Sequence, residues 1–68
     1  MVVNDILLNP RKKTAKVSVF VDDKSDVSDE MVIDEIPTGY TIGESSTVLT
    51  SNGDVAFRRS DGTWNWVE

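Results

Sequence analysis

Seven carboxylates crowd positions 22 to 35: Asp22, Asp23, Asp26, Asp29, Glu30, Asp34 and Glu35. Calcium takes six to eight oxygen ligands, so a cluster of this kind first raises hard-cation binding. The spacing is wrong for a helix-loop-helix calcium site. A template started at Asp22 puts Lys24 at a ligand position, Val27 where glycine makes the turn and Ile33 where a bidentate glutamate belongs. The stretch reads instead as an acidic, solvated loop. Other chemistry is limited by residue type. The chain has neither cysteine nor histidine, which removes thiol nucleophiles, thiolate metal sites and the usual base for a catalytic serine. Carboxylate pairs of the glycosidase type would sit on a loop, in a chain too small to form an enclosing cleft. Gly39-Tyr40-Thr41-Ile42-Gly43 lacks the lysine and hydroxyl residue of a phosphate loop. The expectation is a non-enzyme with no cofactor and no bound metal.

Two further groups could make contacts. Arg11-Lys12-Lys13, with Lys16 nearby, is the only dense basic patch, but the whole chain carries seven basic against twelve acidic residues, a net charge of −5. Such a field repels nucleic acid and anionic membranes, so neither is expected as a partner, and the patch is expected to answer the acidic loop within the molecule or on a neighbouring subunit. Trp64 and Trp66 lie beside Arg58 and Arg59. Aromatic faces stack on sugars and guanidinium groups, so Trp64, Arg59 and Tyr40 form a candidate platform for a glycan or peptide. Trp66 reads as core.

The elements that position these residues are strands. Thr14 to Val21 alternates, with Ala15, Val17, Val19 and Val21 on one face and Thr14, Lys16, Ser18 and Phe20 on the other. Val2, Val3, Ile6, Leu7 and Leu8 fit a strand or one helical turn, with strand preferred. Met31 to Ile36 is read as a short strand before Pro37, since proline pushes its predecessor toward extended geometry. Ser51-Asn52-Gly53-Asp54 and Ser60-Asp61-Gly62-Thr63 predict two tight turns and a three-stranded meander of 47–51, 54–60 and 63–67. With two-residue turns, Val48 opposes Phe57 and Phe57 opposes Trp66. Thr50 and Val55 join that face, as do Arg59 and Trp64, which pair next to the second turn. The other face carries Leu49, Ala56 and Val67, then Thr47, Arg58 and Asn65. The Val48, Phe57, Trp66 row is the expected core. The fold class is therefore all-β, a small antiparallel sheet in one domain: 1–36 as amino-terminal strands and acidic loop, 37–46 as linker, 47–67 as meander.

The amino terminus lacks the basic start, apolar run and cleavage site of a signal peptide. No run approaches the roughly 18 apolar residues of a membrane span, and the cysteine count fits a reducing compartment. The expectation is a chain made in the cytoplasm, soluble or held by other proteins.

Gly43-Glu44-Ser45-Ser46-Thr47-Val48-Leu49, then Asn52-Gly53-Asp54-Val55-Ala56-Phe57, then Asp61-Gly62-Thr63-Trp64-Asn65-Trp66 resembles small virion proteins of tailed bacteriophages, of the head-fibre or decoration kind. In those chains a Gly-x-Ser-Ser or Gly-Ser-Thr stretch leads into a strand, a turn such as Thr-Gly-Asp or Asn-Gly-Asp, an aromatic strand, then Asp-Gly and a tryptophan near the terminus. Lys16-Val17-Ser18-Val19-Phe20-Val21-Asp22-Asp23 looks like the strand and acidic turn that precede it in some of them. The similarity covers about half the chain. It implies a structural role in a phage particle, with capsid or tail proteins as partners and a homo-oligomer as the working form. It carries over no catalytic or binding residue. Small size gives oligomerisation a physical motive as well, because a chain of about 60 residues buries only about 60% of its unfolded surface.

Overall fold

The computed structural model describes residues 1–67. Its strands are β1 (Val2–Asn9), β2 (Thr14–Val21), β3 (Thr41–Ile42), β4 (Thr47–Thr50), β5 (Val55–Arg58) and β6 (Trp64–Val67), with one 3-10 turn at Lys24–Asp26. All six join one sheet in the order β1-β2-β4-β5-β6, with β3 pairing β2. The protein is all-β, and its carboxyl-terminal third is the expected antiparallel run β4-β5-β6.

The sheet is mixed rather than purely antiparallel. β2 pairs in parallel with both β3 and β4, because the chain leaves β2 and returns through residues 22–46 to the end of the sheet where β2 began. Parallel neighbours require such a crossover, whereas a hairpin joins antiparallel ones. Residues 37–46 thus contain β3 and a fully buried Ser46.

β2 follows its alternation. Ala15, Val17, Val19 and Val21 are all buried, together with Val32, Ile42, Val48 and Ala56. β1 is a strand with a register shift between Val3 and Asp5. The extra residue lets Val3 and Ile6 pack on the core while Val2 and Leu7 face away. Met31 to Ile36, expected as a strand, is a succession of turns. The Met31 N–H donates to the Ser28 carbonyl, and those of Glu35 and Ile36 donate to Val32. Backbone groups satisfied locally need no neighbouring strand, and the turns point Val32 into the core.

The meander differs from expectation by one residue in each turn. Thr47 opposes Phe57, Val48 opposes Ala56, Ala56 opposes Trp66 and Arg58 opposes Trp64. Both loops hold three residues, 51–53 and 60–62: the Gly53 N–H donates to the Thr50 carbonyl and the Thr50 N–H to Asp54, with the same pattern between Arg59, Gly62 and Thr63. A two-residue turn of the Asn-Gly class requires positive φ at both residues. Here only Gly53 and Gly62 have it, each at 87°, while Asn52 and Asp61 do not. A slip of one residue exchanges the faces, so Phe57 and Trp66 lie on opposite sides of the sheet. Ala56 and Trp66 take the core side, and Phe57, Leu49 and Val67 the outer one.

Asp61 ties the second loop, accepting from the Thr63 hydroxyl at 2.6 Å and its N–H at 3.0 Å. These bonds, the hydroxyl first, hold its carboxyl below the ordinary aspartate range. A depressed pKa stabilises the fold above the ordinary value, and that contribution is lost as pH falls through the folded one. An NMR titration of the Asp61 carboxyl is expected to give a midpoint below about 3.9; a midpoint at or above it contradicts this account of the turn.

Candidate functional site

Each candidate chemistry can be placed on this framework. Three of the seven acids, Asp23, Asp26 and Asp29, help to build the crossover. Asp23 caps the 3-10 turn, accepting from the Ser25 hydroxyl at 2.8 Å and N–H at 3.1 Å, and Asp26 accepts from the Asp23 N–H at 3.1 Å. Those Ser25 bonds, the hydroxyl first, hold the Asp23 carboxyl below its usual range. Asp29 accepts from Arg58 Nη1 at 2.6 Å. Among the described residues, no three acidic side chains converge as a metal site requires.

The platform residues separate. Trp64 lies on the core face opposite Arg58, whose guanidinium sits 5.2 Å from its ring centre. The expected Arg59–Trp64 pair is therefore corrected to Arg58–Trp64, a consequence of the three-residue second loop. Trp64 is half-buried against the core, and Arg58 is buried between Trp64 and Asp29. Arg58 Nε and Trp64 Nε1 are buried without hydrogen-bond partners. Arg59 projects to the outer face and donates from Nη2 to Asn65 Oδ1 at 2.7 Å. Tyr40 ends the turns of the crossover, with Lys13 Nζ 5.5 Å from its ring centre. Each ring already has a cation of this chain against it, Trp66 included, which has Lys24 Nζ at 5.1 Å.

One open cleft of about 780 Å³ runs between the β1–β2 turn and the second meander loop, with Leu7, Lys16, Thr41, Glu44, Arg59 and Asp61 among its walls. Its charges are of both signs. Nothing in it pairs a nucleophile with a base.

The feature that sequence reasoning missed is the outer face. Across the five long strands, Val2 opposes Phe20, Phe20 opposes Leu49, Leu49 opposes Val55 and Val55 opposes Val67. Directly paired residues point to the same side, so these five apolar side chains form one row across the whole sheet. Phe57 adds to it from the next row. Val2, Leu49, Phe57 and Val67 are 55%, 45%, 44% and 50% exposed. Single exposed apolar residues are ordinary, whereas a contiguous exposed band is not. The signal was present in the sequence, but the one-residue slip in the expected register dispersed it between two faces.

No family model, curated protein or solved structure matches the chain. Among the described residues, no helix is long and apolar enough to cross a membrane.

Proposed function

We propose that the chain is a non-enzymatic structural protein of a tailed-bacteriophage virion, of the head-fibre, decoration or head–tail kind, working by self-association and by attachment to capsid or tail proteins. The observation that supports this reading is the apolar row on the outer face, Val2, Phe20, Leu49, Val55 and Val67, which offers an exposed apolar surface for protein contact. The likeness of 43–66 to small virion proteins supplies the setting. The Gly43-Glu44-Ser45-Ser46 part of that likeness has a structural role in this chain. The Gly43 N–H donates to the Ala15 carbonyl at 2.8 Å, and a Cβ on Gly43 would lie 3.2 Å from that of Thr14.

Mass spectrometry of purified particles, from the phage or prophage whose genome carries the gene, is the test. The chain is expected in a fixed ratio to the major capsid protein. Recovery only in the soluble lysate, with none in washed particles, overturns the reading.

A further inference from the structure

We propose that the outer face seats a second copy of this chain, the two sheets stacking about a two-fold axis that runs along the strands through β4. This rests on the reading of the outer face as a contact surface and names its first occupant.

The pairings dictate the axis. Rotation about a line along β4 exchanges β1 with β6 and β2 with β5 while keeping each row at its own height. Val2 of one copy then meets Val67 of the other, Phe20 meets Val55, and Leu49 meets its own counterpart, so the apolar row lies on itself from edge to edge. The next row, Asp5, Ser18, Thr47, Phe57 and Asn65, is covered at the same time. A two-fold across the strands through the apolar row would leave Phe57 uncovered. Aligned stacking of this kind is the common geometry for two sheets, about 10 Å apart. An isologous contact also closes on itself, so it makes a discrete dimer.

Charge agrees with the same axis. The chain carries −5 overall, yet this face carries one acid, Asp5, and two bases, Lys16 and Arg59. Two copies can therefore approach here with little of the repulsion that the net charge creates elsewhere. The rotation brings Asp5 over Asn65 of the second copy, where the Arg59 guanidinium is already held at 2.7 Å. Two symmetric Asp5–Arg59 contacts then flank the apolar row and fix its register.

Size and the sheet edges point the same way. Five strands at about 4.8 Å spacing and two covered rows of about 6.8 Å each give roughly 330 Å² per copy, about 650 Å² in all, the scale of a weak, concentration-dependent contact. The edges are poor alternatives. β1 is interrupted by its register shift and β6 is four residues long, and both features discourage edge pairing.

Sedimentation velocity on the full chain across micromolar to millimolar concentration tests this. A concentration-dependent dimer is expected. Leu49→Lys sets two ammonium groups together on the axis and is expected to weaken self-association by about 100-fold or more, with an unchanged far-ultraviolet spectrum and, at dilutions where the parent is monomeric, an unchanged unfolding midpoint. Asp5→Arg is expected to weaken it at least about tenfold, and Asp5→Arg with Arg59→Asp to restore it. A monomer throughout, or a dimer indifferent to Leu49→Lys, overturns the inference; the latter outcome moves the contact to a strand edge. A monomeric chain that is still found in particles overturns the dimer and leaves the virion reading standing. A face-to-face dimer absent from particles does the reverse.

Discussion

Val32→Asp is expected to unfold the protein, and Val32→Ala to cost about 2 kcal/mol. Among the described residues from 22 to 40, Val32 alone is buried, and it is fully so. Val27, Met31 and Ile36 pack beside it at intermediate exposure. The backbone hydrogen bonds from 28 to 36 are local turns, so side chains must hold this segment against the sheet. Asp29 contributes an ion pair to Arg58, but its own side chain is 68% exposed, and such pairs contribute about 0–1 kcal/mol. Val32 is the main anchor. A carboxylate there has no partner and costs several kcal/mol, against a total stability of about 3–10 kcal/mol for a chain of this length. Trp64 and Trp66 share the face that the segment covers, so their fluorescence during urea unfolding reports its loss. Val32→Asp retaining a cooperative transition near the parent midpoint contradicts the anchoring role.

The second large effect is expected at Ser46. β2 changes partner partway along its length, from β3 at Thr14 and Ala15 to β4 at Ser18 and beyond. The Val17 N–H falls at the junction. Ser46 Oγ accepts from it at 2.9 Å and donates to the Gly43 carbonyl at 2.7 Å, in a site with no solvent exposure. One hydroxyl thus replaces the missing rung of the ladder. Ser46→Ala leaves the buried Val17 N–H unpaired, while the Gly43 carbonyl keeps the Ser46 N–H at 3.3 Å, and is expected to cost about 1–3 kcal/mol. Thr47→Ala is the control: that hydroxyl reaches Ser18 Oγ at 3.3 Å on the outer face, and its loss is expected to cost under about 0.5 kcal/mol. Hydrogen exchange at the Val17 amide distinguishes a specific loss from general loosening. Exchange there should accelerate more than at Val19, and equal acceleration at both contradicts the rung assignment.

Ser46 also marks the boundary of what the sequence discloses. β2 is legible because one buried face and one wetter face leave a period of two. The two loops are legible as positions, because each glycine stands where the backbone needs positive φ. Their length is not, because Asn-Gly and Asp-Gly serve both the two-residue turn and the three-residue loop with glycine last. That single residue decides whether Phe57 or Ala56 packs in the core, and with it whether the outer row can be seen at all. β1 hides its alternation behind an extra residue near Asn4. The parallel pairing of β2 with β4 leaves no local trace, since it depends on where a long crossover returns. Ser46 is likewise an unremarkable serine in a Gly-Glu-Ser-Ser run until Val17, 29 residues earlier, lies against it.

That separation governs the order in which the sheet assembles. The β1–β2 hairpin and the β4-β5-β6 run each close over short loops and need only local contacts, which form on the microsecond scale. Joining them requires closing the crossover of residues 22–46, with its ordering entropy lost before β2 and β4 gain their shared core. The slow event is expected to be the meeting of the β1–β2 hairpin with the β4-β5-β6 meander, because the long-range strand pairs lie where β2 meets β3 and β4. Until they meet, the hairpin and the meander would each expose a bare strand edge to any other chain being made nearby.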